Sequence, residues 1–287
     1  MRTWKFSKGH GTGNDFVIVL DRHGLEDVGA AEVRYLCDRH FGIGADGLLR
    51  VVPARTIDGW DDDPDLWFMD YRNADGSIAQ MCGNGARVFA RFLLDNDLVN
   101  PPRFRIGTRA GVHEVEQRAD GFRISMGAVR VGDEVQIEHR GGAWAARAAD
   151  VGNPHAVVVL GGDEAMPALD GLDLTRQPSW SPQQAFPEGV NIEFVARLGD
   201  DRAMMRVHER GVGETLSCGT GTVAVAAVLG HERPEAHRWA IEVRGGLVEV
   251  DLGDVAEGAR QAWLTGPAEI VARGEAFLPD HARRRHE

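Results

Sequence analysis

The chain has 287 residues, 43% of them hydrophobic, which is enough to build the cores of two domains of ordinary size. Its formal net charge of −12 argues against a nucleic-acid-binding surface, because phosphate binding requires clustered Lys and Arg. The N-terminus lacks the apolar region of an export signal, and no apolar run approaches about 18 residues. We therefore expect a cytoplasmic protein without membrane contact.

The first half of the chain is predicted to alternate strands with two helices. The helices are expected over 30–39 and after Cys82, and the strands over 4–8, 16–20, 47–52, 66–72, 103–107, 112–117, 121–126 and 135–138. The acidic segment 58–67 is expected to be a solvated loop, because its carboxylates lack the ordered spacing of a calcium site.

The second half repeats this plan. Strands are predicted over 156–160, 191–197, 203–208, 239–252 and 261–272, with a Pro- and Trp-containing connection over 167–187 and an apolar helix after Cys218. Many strands around few helices predict an α+β fold of two pseudo-symmetric domains, each a mainly antiparallel or mixed sheet wrapped around a central apolar helix. We expect residues 1–118 with 266–287 to carry Cys82, and residues 119–265 to carry Cys218. The charged tail from residue 280 is expected to be disordered.

A cysteine precedes a Gly-x-Gly turn in the segment LSCGTGTVAVAAVLG, residues 216–230. The segment that follows is apolar on every face, so a helix buried all round is expected, with Gly230 as its stop. The N–H groups at such a helix start favour the thiolate of Cys218 and can also hold a carboxylate. A buried structural cysteine is nevertheless the commoner role, and this segment alone leaves the choice open.

The same pattern occurs a second time, in QMCGNGARVFARFLLD at residues 80–95, with Cys82 in the place of Cys218. Upstream, GTGNDFVIVL at 11–20 parallels VGNPHAVVVL at 151–160. The repeated order indicates a duplication, and a pseudo-twofold arrangement would let two thiols approach one carbon from opposite sides. A thiolate on one face and a thiol on the other would make the protein a racemase or epimerase.

The numbers and positions of the cysteines and lysines limit which metals and cofactors the chain could bind. The three cysteines form no C-x-x-C pair, so neither a disulfide framework nor a zinc site is indicated and no metal is expected. Cys37 lies in a helical pattern without a Gly-rich turn, and a structural role is predicted for it. The two lysines, Lys5 and Lys8, are crowded at the N-terminus, so a pyridoxal phosphate Schiff base is disfavoured and no cofactor is expected.

Polar residues recur at matched distances from the two thiols. Asn73 lies nine residues before Cys82, and Glu209 lies nine before Cys218 with Arg210 beside it. Taken singly, the Asn73 segment is typical of a hairpin turn and the Glu-Arg dipeptide of a surface pair, whereas the equal spacing favours substrate contacts.

Two more polar residues have alternative interpretations. Asn191 could cap a strand or contact substrate, and His155 could orient a substrate or a thiol or be a structural histidine.

The motifs KGHGTGNDFVIV, NADGSIAQMCGNGAR, GNPHAVV, NIEF and ERGVGETLSCGTGT together resemble the diaminopimelate epimerase family, from about residue 5 to 272. The resemblance implies a cofactor-independent, homodimeric isomerase of lysine and peptidoglycan precursor synthesis. Such an enzyme interconverts LL- and meso-2,6-diaminopimelate at a site between two pseudo-symmetric domains. It implies that Cys82 and Cys218 are base and acid, and that the substrate is bound by Asn14, Asn73, Gly83, Asn84, Asn153, Asn191, Glu209, Arg210, Gly219 and Thr220.

The chain departs from the family pattern at Gly47, where many members carry Gln, so a side-chain contact there would be absent or replaced. The acidic insertion at 60–65 is also unfamiliar. Three other functions are compatible with parts of this pattern. A proline racemase would not need Arg210 and several Asn residues for a distal amino-acid group, the phenazine-biosynthesis isomerases lack the cysteine pair, and a small-molecule binding protein would use the same helix ends without turnover.

Overall fold

The computed structural model of the protein describes residues 2–26 and 28–278, and the predicted disordered tail lies outside them. The chain divides into two compact units, one of Met1–Ile124 with Pro267–Glu287 and one of Ser125–Gly266. The boundary predicted from the sequence, after residue 118, falls six residues earlier. No helix in the described part of the chain has both the length and the apolar character needed to cross a membrane.

The described residues form 17 strands and four α-helices. The helices are α1 (Ala30–Cys37), α2 (Gly83–Asp95), α3 (Ala165–Gly171) and α4 (Gly219–Glu232). The strands are β1 (Arg2–Gly11), β2 (Asn14–Leu20), β3 (Gly47–Pro53), β4 (Trp67–Asn73), β5 (Arg103–Thr108), β6 (Gly111–Arg118), β7 (Gly121–His139), β8 (Gly142–Asp150), β9 (Pro154–Leu160), β10 (Ser179–Ser181), β11 (Asn191–Arg197), β12 (Arg202–Glu209), β13 (Gly213–Thr215), β14 (Arg238–Val243), β15 (Gly246–Ala256), β16 (Ala259–Gly266) and β17 (Glu269–Leu278).

The first unit wraps mixed sheet around α2. Strand β2 is antiparallel to β1 and parallel to β3, and β3 is antiparallel to β4. Helix α2 packs on β1, β2, β3, β4 and β17, with Phe89 and Leu93 fully buried and Arg91 exposed. The helix therefore presents most of its surface to the sheet and one polar stripe to solvent.

The second unit repeats this plan around α4. Strand β9 is antiparallel to β8 and parallel to β11, and β11 is antiparallel to β12. Residues 221–230 of helix α4 are all buried. The helix packs on β8, β9, β11, β12, β14, β15 and β16. The predicted α+β fold of two repeated halves, each with a central apolar helix, is confirmed.

Several predicted boundaries were wrong for identifiable reasons. The two strands predicted over 121–126 and 135–138 are one continuous strand, β7, whose pairing with β8 shifts register between Val131 and Glu134 without ending the strand. Strand β8 was missed because its alanine-rich sequence has little β-propensity. Helix α4 continues beyond Gly230, where a Cβ would lie 3.0 Å from Arg260 Nη1, so this glycine serves close packing rather than the helix stop.

The acidic segment does form a loop in the first unit. Asp63 pairs with Arg105 at 2.6 Å, and Trp60 packs edge-on against Phe68 with ring centroids 5.2 Å apart. Among the described residues, no group of three or more His, Cys, Asp or Glu side chains is placed to hold a metal ion.

Candidate active site

Each of the two repeated cysteines is the N-cap residue of a central helix. Cys82 precedes α2 and its sulfur accepts a hydrogen bond from the Gly85 N–H at 3.4 Å. Cys218 precedes α4 and its sulfur accepts from the Gly221 N–H at 3.3 Å. Both backbones are extended at the cap, so each thiol occupies the position that Ser, Thr or Asp usually takes at a helix start.

The first thiol lies in a network of amide side chains. Cys82 Sγ is 3.7 Å from Asn14 Oδ1, which also accepts from Asn84 Nδ2 at 3.2 Å. Asn14 Nδ2 donates to Asp46 Oδ2 at 2.8 Å, which fixes the orientation of that amide. The two-residue turn between β1 and β2, with Thr12 and Gly13 both at positive φ, brings Asn14 to this position.

Behind this network lies an arginine that the sequence analysis did not single out. Arg87 is fully buried and donates to Asn84 Oδ1 at 2.9 Å and Thr12 Oγ1 at 3.0 Å. In the described part of the chain it has no carboxylate partner, and burial lowers its pKa to about 10 while the charge of Cys82 acts to raise it. Its signal in the sequence is a single cation in an otherwise apolar helix segment, GARVFA.

The second thiol has a different set of neighbours. Cys218 Sγ lies 3.5 Å from Thr220 Oγ1, which accepts from Asn153 Nδ2 at 3.4 Å. Asn153 Oδ1 faces His155 Nε2 at 3.1 Å, and His155 Nδ1 faces Glu193 Oε1 at 2.7 Å. Glu193 was missed because it lies among apolar residues in the middle of β11, and its signal is one carboxylate within the run NIEFVA.

The helix start favours the thiolate of Cys218, as expected, but other effects on the pKa of this thiol are larger. Burial raises the pKa of this thiol well above its ordinary value, and the carboxylates of Glu209 and Glu193 raise it further. The hydrogen bonds from Thr220 and Gly221 act in the opposite direction and are outweighed. Desolvation of a buried sulfur therefore dominates over the partial charge of the helix end.

The remaining predicted residues of the second unit lie at the ends of β11 and β12. Asn191 Nδ2 donates to the Pro154 carbonyl at 3.4 Å, and its Oδ1 accepts from the Arg210 N–H at 2.9 Å. The exposed Arg210 guanidinium donates to the Glu188 carbonyl at 3.2 Å, and the Glu209 carboxylate accepts from the Thr215 hydroxyl. The hydrogen bond from the Arg210 N–H to Asn191 Oδ1 connects Arg210 to the start of β11.

In the first unit, Asn73 ends β4 and also begins a turn. Its Nδ2 donates to Ser77 Oγ at 3.0 Å, and its carbonyl accepts from the Gly76 N–H at 2.9 Å. The hairpin-turn interpretation of this segment is therefore confirmed. Gly83, Asn84, Gly219 and Thr220 are the first residues of α2 and α4, next to their thiols.

Two positions outside the proposed contacts have clear structural roles. Cys37 ends α1 in the buried core, and burial raises the pKa of its thiol to about 12. At Gly47, a Cβ would lie 2.6 Å from the Arg72 carbonyl oxygen. A larger side chain, such as the Gln of many family members, would therefore require the backbone of β4 to move.

The sequence matches the diaminopimelate epimerase family model over residues 6–132 and 147–271. It is 47% identical over 282 residues to the diaminopimelate epimerase of Corynebacterium glutamicum strain R, covering 96% of this chain and 99% of the relative. It is 43% identical over 285 residues to the diaminopimelate epimerase of Thermobifida fusca, covering 96% and 98%.

Solved structures with low sequence identity share the fold. A hydroxyproline epimerase from Agrobacterium vitis gives a TM-score of 0.68 at 16% identity, covering 97% of this chain and 94% of that one. A phenazine biosynthesis protein of the PhzF family from Bacillus anthracis gives 0.67 at 16% identity, covering 97% and 100%. At this identity the likeness concerns the fold alone.

Proposed function

The chain belongs to the diaminopimelate epimerase family and is an isomerase of lysine biosynthesis, and we propose that Cys82 and Cys218 are the two groups that carry its proton transfer. The substrate is 2,6-diaminopimelate, interconverted between its LL and meso forms. The observation that carries the assignment is the repeated thiol N-cap: both halves place a cysteine at the start of a buried central helix.

The proposed reaction transfers protons and needs no net oxidation or reduction. One cysteine, as thiolate, removes the α-proton from the substrate and becomes a thiol, which leaves a carbanion at the α-carbon. The other cysteine, as thiol, gives its proton to the opposite face and becomes a thiolate. The stereocentre is thereby inverted, and the reverse reaction exchanges the two roles.

The first residues of α2 and α4 supply the electrostatic part of this proposal. The carbanion delocalises into the adjacent carboxylate, so negative charge grows on its oxygens as the proton leaves. Backbone N–H groups at Gly83, Asn84, Gly219 and Thr220 are suited to stabilise that charge, because the first N–H groups of a helix point away from its body, at the positive end of the helix dipole.

We assign binding of the distal amino and carboxylate groups of the substrate to the polar side chains. Arg210 offers a planar pair of donors to a carboxylate, and the amides of Asn14, Asn73, Asn153 and Asn191 offer both donors and acceptors. Glu209 contributes through its main chain and through its hydrogen bond with Thr215.

Solvent isotope incorporation tests the function directly. LL-diaminopimelate incubated with the purified protein in deuterated water should yield the meso isomer with one deuterium at the inverted α-carbon. Proline serves as the comparison substrate. Exchange of proline without exchange of diaminopimelate would identify a racemase of cyclic amino acids, and tight diaminopimelate binding without exchange would identify a binding protein.

The two-face mechanism has a separate test in the oxidation state of the thiols. If both sulfurs reach one carbon, only a small movement separates them from bonding distance, so air oxidation of the empty enzyme should join Cys82 to Cys218. Activity should then fall and return with dithiothreitol, and substrate should protect. Peptide mapping that finds crosslinks only through Cys37 would contradict the arrangement.

We further propose a cytoplasmic homodimer. The mechanism needs two reduced thiols, which a reducing compartment maintains. Light scattering of the eluting protein should give twice the chain mass of 31.3 kDa.

A further inference from the structure

The first unit carries a glycine at a position where the second unit carries a polar side chain. Gly47 of β3 pairs with Phe16 of β2, and Asn191 of β11 pairs in the same parallel register with His155 of β9. Asn191 is one of the predicted substrate contacts, whereas Gly47 can offer no side chain. The two halves therefore differ in what β3 and β11 place at this point of the sheet.

A tyrosine of the neighbouring strand fills the space above Gly47. Tyr71 Cε2 lies 2.7 Å from the position that a Cβ on Gly47 would occupy, so the ring takes the place of a side chain there. Tyr71 itself pairs with Leu49, two positions further along β3, and its ring must lean toward the end of β4 to reach Gly47. Since the hydroxyl lies beyond Cε2 at the tip of the ring, it is directed toward the end of β4 that carries Asn73, the residue paired with Gly47.

The second unit has the opposite arrangement at the equivalent positions. Val207 of β12 pairs with Glu193, two positions after Asn191. It is therefore the equivalent of Tyr71, which pairs two positions after Gly47. The side chain of Val207 is aliphatic, so the polar group at this point of the second unit is the amide of Asn191. A glycine beside a tyrosine in one half thus corresponds to an asparagine beside a valine in the other.

The ring of Tyr71 belongs to an apolar layer under the first turn of α2. It packs edge-on against Phe16, with ring centroids 5.8 Å apart. A Cβ on Gly85 would lie 3.5 Å from Phe16 Cζ and 3.4 Å from Leu49 Cδ2. Phenylalanine would fill such a layer equally well and would bury no hydroxyl. The hydroxyl is therefore explained by the polar end of β4 at Asn73, and not by the packing of the ring.

We propose that the Tyr71 hydroxyl contacts the substrate, and that it serves in the first unit as the amide of Asn191 serves in the second. A phenol hydroxyl can donate to a carboxylate and accept from an ammonium group, so it suits either charged group of an amino acid. Its direction toward Asn73 places this contact beside an amide that the proposed function assigns to the substrate. The inference rests on that function and adds a specificity-determining residue to it.

Tyr71→Phe tests the contact, because it removes the hydroxyl and keeps the ring. KM for LL-diaminopimelate should rise about 10- to 100-fold, the usual effect of losing a hydrogen bond to a charged group, and kcat should change less than KM. Steady-state kinetics measures both constants. An unchanged KM would overturn the inference, whatever the melting temperature of the variant.

The chain offers a matched control, since its sequence contains two tyrosines. Tyr35 lies in α1, which contributes none of the predicted substrate contacts. Tyr35→Phe makes the same chemical change outside the predicted site and should leave KM and kcat unchanged. An equal rise of KM in both variants would mean that the loss of a phenol hydroxyl acts through general disruption, and would contradict the assignment.

Carbon NMR of protein labelled at the tyrosine Cζ atoms gives a readout that does not depend on turnover. The wild type should give two signals, and Tyr35→Phe should retain only the signal of Tyr71, which assigns it. Addition of diaminopimelate should shift the Tyr71 signal and leave that of Tyr35 in place, because the Cζ shift responds to hydrogen bonding of the attached hydroxyl. A Tyr71 signal that saturating diaminopimelate does not move would overturn the inference even if Tyr71→Phe fails to fold.

The proposed function and this contact would fail in different ways. A wild type that binds diaminopimelate with a shift at Tyr71 but incorporates no deuterium would refute the proposed function and leave the contact established. Deuterium incorporation with an unmoved Tyr71 signal would support the proposed function and refute the contact.

Discussion

The two halves of the molecule place a cysteine in the same position and surround it differently. Cys82 is half-buried beside two asparagines, with the cation of Arg87 behind them. Cys218 is buried, with the carboxylates of Glu193 and Glu209 acting on it. The backbone geometry of the helix cap is thus common to both halves, whereas the charge around each sulfur is set by residues on the neighbouring strands.

This difference shows how a duplicated scaffold can place two cysteines in unlike electrostatic surroundings. A cation near a sulfur favours the thiolate, and burial with nearby carboxylates favours the thiol. In the mechanism we propose, the two thiols exchange roles between the forward and reverse reactions, so these surroundings would bias which thiol holds the proton in the free enzyme.

Removal of either thiol should produce the largest effect. Cys82→Ala and Cys218→Ala should each lower epimerisation by about 10²- to 10⁴-fold, the usual contribution of a general acid or base. Steady-state assay of LL-diaminopimelate conversion checks this. Cys37→Ala is the control, and its activity should stay close to that of the wild type. Full activity of either Cys82→Ala or Cys218→Ala would contradict the two-base mechanism.

Arg210 should be the most important side chain for substrate selection. Its replacement by Ala leaves the distal carboxylate of the substrate unpaired, at an expected cost of about 2–5 kcal/mol in transition-state stabilisation. Measured kcat/KM for diaminopimelate should fall accordingly, with the fold unchanged by circular dichroism. An unchanged kcat/KM would show that the contacts of Arg210 with Glu188 and Asn191 are purely structural.

Arg87→Met should reduce the electrostatic contrast between the two thiols. The variant keeps an unbranched side chain of somewhat smaller volume and removes the buried cation, so the thiolate of Cys82 should become less available. Alkylation of Cys82 by iodoacetamide, followed residue by residue with mass spectrometry, should slow by about three- to tenfold. The rate at Cys218 in the same sample is the internal reference, and equal slowing at both thiols would indicate general disruption instead.

The pH dependence of alkylation should differ between the halves. Because the pKa of Cys218 is raised, its reaction with iodoacetamide should begin only at a pH above the range of an ordinary cysteine. Peptide mapping between pH 6 and 10 measures this. Glu193→Gln should move the onset for Cys218 to lower pH, and alkylation of Cys218 in the range of a free cysteine would contradict the assigned effect of burial.

Cys37 should have the smallest effect, confined to stability at high pH. Its folded pKa of about 12 lies above the unfolded value, so the folded state holds the proton more tightly and stability is lost as pH rises above about 9. The slope approaches 1.4 kcal/mol for each pH unit per thiol. Urea unfolding at pH 8 and 10 should therefore show a smaller decline for Cys37→Ala than for the wild type, and equal declines would refute the shift.

Part of the site follows from local sequence. The Cys-Gly-x-Gly turns, the apolar runs behind them and the repeated Gly-Asn entries were enough to predict two helices headed by thiols, because caps and buried faces depend on residues close together in the chain. The family followed from the same motifs. The limits of β7 and β8 could not be predicted in this way, because they depend on pairing with strands that are distant in the sequence and not on local propensity.

Arg87 and Glu193 show what the sequence could not provide. Each is a single charged residue in an apolar segment. The neighbouring residues in the sequence do not indicate which face of the helix or strand it lies on, or which residues it contacts. The sequence by itself determined the two thiols, their helices and the duplication, since these depend on neighbours along the chain. Tertiary packing alone decided that one sulfur lies near a buried cation and the other near the carboxylates of Glu193 and Glu209, because desolvation and Coulomb interactions act between residues that only the folded sheet brings together.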